Sequence, residues 1–61
     1  MDRPMDYLIE IEDEPLGLAM AEEEGVVFHA FHPAVQQLHG CAYPDAGEAQ
    51  RAALNAFRAA A

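Results

Sequence analysis

The sequence predicts a small α+β domain: a three-stranded antiparallel β-meander, a short helical turn, and a C-terminal α-helix packed on one face of the sheet. Three observations predict it. The chain has only 61 residues, enough for one layer of sheet and one of helix. Residues 7–31 alternate apolar and polar side chains in short runs separated by turn residues. The stretch after Asp45 is rich in good helix formers and places apolar residues at helical spacing.

Residues 1–5 read as a frayed lead-in to a single domain covering residues 1–61. The first strand begins at Tyr7. Tyr7, Ile9 and Ile11 would face the core, with Leu8, Glu10 and Glu12 on the opposite side. Asp13 and Glu14 are expected to turn the chain. Pro15 can open a second strand, in which Leu16, Leu18 and Met20 continue the core face while Gly17, Ala19 and Ala21 lie opposite. Glu22, Glu23, Glu24 and Gly25 form the next turn, Gly25 taking a left-handed conformation. Residues 26–31 make the third strand, and connections this short exclude parallel crossovers.

Pro33 and Gly40 bracket a turn or two of helix with Val35 and Leu38 facing inward. Cys41, Ala42 and Tyr43 can add a short extended piece. Asp45, three residues before Glu48, has the spacing of a capping box. In the helix that follows, Ala46, Ala49, Gln50, Ala53, Leu54, Phe57 and Ala61 share one face, and Leu54 and Phe57 are expected to cover the sheet. The other sheet face would then be open, carrying Leu8, Glu10 and Glu12, the small residues of the middle strand, and Val27, His29 and Phe31. The alternative is that residues 33–40 fold back over it.

Charge sets the expected partner. Eleven acids face three arginines and no lysine, a net charge of −8. Every acid lies at or before Glu48, and Arg51 and Arg58 return only on the helix. Three scattered arginines cannot neutralise a run of phosphates, so direct nucleic-acid binding is excluded and a basic protein surface is the natural partner. The expected contacts are Glu10, Glu12, Asp13, Glu14, Glu22, Glu23 and Glu24, a row of carboxylates long enough to imitate successive phosphates, with His29 and Phe31 from the open face. Acidity that serves solubility alone is the competing explanation.

Other chemistries are poorly served. His29, His32, His39 and Cys41 have zinc-capable donors, but a His39-x-Cys41 pair is tighter than the usual ligand spacing, and no metal or other cofactor is expected. A Cys41–His nucleophilic pair would need an orienting group and an oxyanion site, so no enzymatic activity is expected. Glu22, Glu23 and Glu24 lack the staggered oxygen ligands of a calcium loop. A single cysteine fits a reducing compartment, and no apolar run approaches membrane-spanning length. A cytoplasmic monomer or weak homodimer, not associated with membranes, is expected.

Gly25-Val26-Val27-Phe28-His29-Ala30-Phe31, Pro33, Gly40-Cys41 and Glu48-Ala49 resemble the HicB antitoxin fold, in which a glycine-led strand passes through a proline-bearing loop to Gly-Cys and a Glu-Ala-headed helix. That resemblance implies a sheet-plus-helix architecture and, as a function, an antitoxin-like partner of a small basic toxin. As a class, a tiny acidic domain without a catalytic constellation also resembles phage-encoded inhibitors of the anti-CRISPR type. The leading expectation is an acidic inhibitor that occupies the nucleic-acid-binding surface of a partner by DNA mimicry. The antitoxin-like role and a plain soluble interaction domain are the alternatives.

Overall fold

The computed structural model describes residues 6–60. Four strands form one antiparallel sheet in the order β1-β2-β3-β4: β1 (Tyr7–Ile11), β2 (Glu14–Glu22), β3 (Gly25–Ala30) and β4 (Ala42–Tyr43). A 3₁₀ helix (Pro33–Leu38) connects β3 to β4, and helix α1 (Ala46–Ala60) packs against one face of the sheet. The α+β class is as expected, but the sheet has a fourth strand. Ala42 and Tyr43, expected only as an extended piece, pair with Val27 and Val26. The expected fraying of residues 1–5 and the placing of Ala61 lie outside the described residues.

The first turn falls one residue earlier than expected. Glu12 (φ 51°) and Asp13 (φ 65°) form a two-residue connection, and Ile11 pairs with Glu14. Two successive left-handed residues match the twist of the strands they join, which outweighs the poor fit of a glutamate to that conformation. Glu12 therefore belongs to the turn, not to the strand face.

The larger correction concerns β2. Ile9 pairs with Gly17 but Glu10 pairs with Pro15, so Leu16 is an extra residue. Such a β-bulge shifts the side-chain alternation by one position. Before it, Leu16 points at the core; beyond it, Gly17, Ala19 and Ala21 do, and Leu18 and Met20 turn to the opposite face. Leu16 and Ala19 are fully buried, while Leu18 and Met20 are only partly so. Small residues suit the buried side because Phe28, also fully buried, lies over them: a Cβ at Gly17 would meet the Phe28 ring and the His29 carbonyl oxygen.

The core comprises Ile9, Ile11, Leu16, Ala19, Val26 and Phe28 from the sheet, Val35 from the 3₁₀ helix, and Ala49, Ala53 and Ala56 from α1. Three alanines at the contact let the helix approach closely; Leu54 and Phe57 flank it partly buried, and Gln50, expected on this face, is exposed. Tyr7, expected inside, is 53% exposed at the start of its strand. Asp45 caps α1 by accepting the Glu48 N–H at 2.9 Å, a bond of the kind that contributes about 1 kcal/mol. Glu48 in the first turn and Arg58 in the last complement the helix dipole. Val35 buries the 3₁₀ segment against the helix side of the molecule, so residues 33–38 lie on that side, while His39 comes edge-on to His29 at the margin of the opposite face. Among the described residues no helix is long and apolar enough to cross a membrane.

Candidate functional site: the open sheet face

Among the described residues, one face of the sheet has no covering layer. Its side chains follow from the register. Leu8, Leu18 and His29 form one cross-strand row, and Met20 and Val27 form the next. Glu10 lies at one end of this patch and Glu22 at the other. Leu8 is 51% exposed and Phe31, just beyond β3, is 55% exposed. No pocket opens among the described residues, so the surface offers an apolar plane and not a cleft.

The acids do not form one row. Glu10, Glu12, Asp13 and Glu14 gather at the first hairpin, whereas Glu22, Glu23 and Glu24 gather at the second. The two groups sit at opposite ends of β2, whose nine residues span roughly 26 Å. The cause is topological: in a meander, successive turns fall at alternate ends of the sheet. Glu14 differs from the others because it shares the side of Ile11, facing away from the open plane. Its carboxylate lies 3.5 Å from His32 Nε2. Asp6 adds to the second group and ties down the strand, its Oδ1 accepting the Ala21 N–H at 3.0 Å.

The histidines have structural tasks. His32 caps the 3₁₀ helix, its Nδ1 accepting the Ala34 N–H at 3.0 Å, which places the proton of the neutral ring on Nε2, facing Glu14. Its ring also meets Phe57 edge-on at 5.6 Å. His39 Nδ1 accepts the Ala30 N–H at 3.1 Å, and its ring stands edge-on to His29 at 5.2 Å. Among the described residues no three His, Cys, Asp or Glu side chains are grouped so as to hold a metal ion. Cys41 is a free, half-buried thiol beside Tyr43. Burial, reinforced by Cys41, pushes the Tyr43 hydroxyl above its ordinary pKa.

Of the residues expected to contact a partner, the fold places Glu10, Glu22, His29 and Phe31 on or beside the open plane. Glu12, Asp13, Glu23 and Glu24 are at the two turns bounding it. Leu18 and Met20 belong to this surface, whereas simple alternation places them in the core. The signal that could have found them is Gly17, since an isolated glycine inside a strand pattern marks a bulge.

The fold and this surface together define a small α+β domain with an uncovered, acid-bounded sheet face. Compared with protein-family models, with curated proteins and with solved structures, the chain finds no match.

Proposed function

We propose that this chain is a protein-binding inhibitor that occupies a basic, nucleic-acid-binding surface of a partner protein, docking through the open sheet face with the two acidic turns as its rim. The observation that supports it most is the uncovered group Leu8, Leu18, Met20 and Val27 lying between Glu10 and Glu22. An apolar centre with a charged border is the usual anatomy of a protein interface. The apolar plane supplies affinity in this reading, and the acids steer a cationic surface and hold its register. DNA mimicry of the anti-CRISPR type then means two carboxylate groups at the ends of β2 and not a continuous phosphate row. No catalytic step is assigned to any residue.

An antitoxin-like role is the second reading. It is favoured by one observation: the segments that resemble the HicB pattern, from Gly25 to Glu48-Ala49, fold as consecutive parts of one sheet-and-helix unit. Both readings require a basic partner, and they differ in what that partner does.

The test is competition. A partner recovered from a bacterial lysate on the immobilised chain is titrated with labelled nucleic acid, with and without an equimolar amount of the chain. Under the inhibitor reading, the partner's nucleic-acid affinity falls at least about tenfold. A partner that binds nucleic acid equally well in the complex would overturn it, and one that is a small basic toxin with restored growth on co-expression would favour the antitoxin.

A further inference from the structure

We propose that the outer edge of β1, unpaired among the described residues, receives an extended, cationic segment of the partner as a fifth strand. The inference rests on the partner's being basic, as proposed above, but not on the open face being the docking plane. The two edges of the sheet are unlike: one is the two-residue β4, the other the five-residue β1. Beside β3, the chain itself completes the ladder: Phe28 donates its N–H to the Cys41 carbonyl and accepts from the Gly40 N–H, and β4 follows. Among the described residues no strand lies beyond β1.

The hydrogen-bond phase identifies the free groups. A two-residue turn closes on a hydrogen-bonded pair, here Ile11 and Glu14, so the next pair, Glu10 and Pro15, is not hydrogen-bonded. Pro15, which has no N–H, fits that place. At the other end, Phe28 turns its backbone groups toward residues 40 and 41, so its partner Ala19 turns its own toward Tyr7. Alternation then leaves the Leu8 pair unbonded as well. Leu8 and Glu10 therefore direct their N–H and C=O groups away from β2, along the uncovered edge.

Edges left unpaired in stable proteins are commonly blunted by lysine, proline or a bulge within the edge strand. β1 has no lysine, proline or bulge of its own, and the one charge within it is Glu10; the bulge lies in β2, and β1 includes exposed Tyr7 and Leu8. Its charges decide the occupant. Asp6, Glu10 and Glu12 lie along or beside the edge, so a second copy pairing there would set three acids against three, while lysine or arginine opposite Glu10 would be drawn in. Strand addition takes affinity from main-chain bonds and specificity from alternate side chains.

The experiment uses the full chain and a short capped peptide of alternating valine and lysine, followed by amide hydrogen exchange in NMR. Saturating peptide should slow exchange at the Leu8 and Glu10 amides by at least about tenfold. Glu10→Pro removes an outward N–H without breaking a β1–β2 bond and should weaken the peptide at least about tenfold. Glu10→Gln keeps the N–H and should weaken it about threefold. Peptide-induced shifts confined to Met20, Val27 and His29 would overturn the edge proposal while leaving open-face docking intact. Protection of Leu8 and Glu10 that rises with chain concentration in the absence of peptide would also overturn it, by making a second copy the occupant. So would a failure of millimolar peptide to protect either amide.

Discussion

Ala19→Leu and Met20→Ser, two neighbouring substitutions, separate the bulged register from simple alternation. Ala19 is fully buried, paired with Phe28 across the sheet and packed in the core that includes Ala49 and Ala53. Three added carbon atoms have no room there, and overpacking of this kind costs about 1–3 kcal/mol. A 61-residue domain at about 0.05–0.15 kcal/mol per residue has only about 3–9 kcal/mol in total. At the middle of both ranges Ala19→Leu should therefore remove about a third of the stability. Met20 is half-buried on the uncovered face, so Met20→Ser loses part of the about 1.5–3 kcal/mol that full burial would confer, about 1 kcal/mol at most. Urea unfolding followed by far-ultraviolet circular dichroism, with m of about 1 kcal/mol/M, should show the midpoint of Ala19→Leu falling further than that of Met20→Ser, by about 1 M at the middle of these ranges. The reverse order, with Met20→Ser costing the about 2–5 kcal/mol of a core truncation, would refute the bulge and return Leu18 and Met20 to the interior.

Three further outcomes follow from single positions. Gly25 has φ +138° and a Cβ there would strike the Tyr43 carbonyl oxygen, so Gly25→Ala should cost more than about 2 kcal/mol in the same urea assay and loosen β4 first. Replacing Glu12-Asp13 by Asn-Gly relieves two left-handed residues and should raise stability by about 1 kcal/mol; a loss would show that the turn is not of the two-residue type. Burial, and then Cys41, raise the Tyr43 pKa in the folded state, so the folded chain holds that proton more tightly than the unfolded one. The associated stability is intact below the ordinary tyrosine value near 10 and is lost as pH rises through the higher folded value; alkaline melts should show this fall in the native chain and not in Tyr43→Phe.

The fold class was legible because periodicity and turn residues agree from Tyr7 to the helix. Asp45 acted as the cap its spacing predicted, and Val35 and Leu38 pointed inward from the Pro33 turn. What alternation could not carry was parity across Leu16. One inserted residue exchanged the faces of five following positions, and the apolar character of Leu18 and Met20 is the same whether they fill a core or an interface. The fourth strand was hidden for a different reason: two residues are too few to show a period, and Ala42 and Tyr43 are strand only because β3 lies beside them. The acids were visible as residues but not as an arrangement, since a charge row read along the sequence becomes two separate groups once a meander sends its turns to alternate ends.

The central claim, that the open sheet face binds a basic partner with the acidic turns as its rim, is tested most directly by partner affinity across three variants on a flow biosensor. One carries Leu18→Ser, Met20→Ser and Val27→Ser; the others neutralise the rim acids, as Glu10→Gln, Glu12→Gln and Asp13→Asn, or as Gln at Glu22, Glu23 and Glu24. Loss of desolvated apolar anchors should speed dissociation of the first variant at least about tenfold. The two charge-neutralised variants should chiefly slow association, most clearly at low salt, because exposed charges are screened beyond about 8 Å at physiological ionic strength. An unchanged dissociation rate for the triple serine variant, in a chain shown to be folded, would contradict the account.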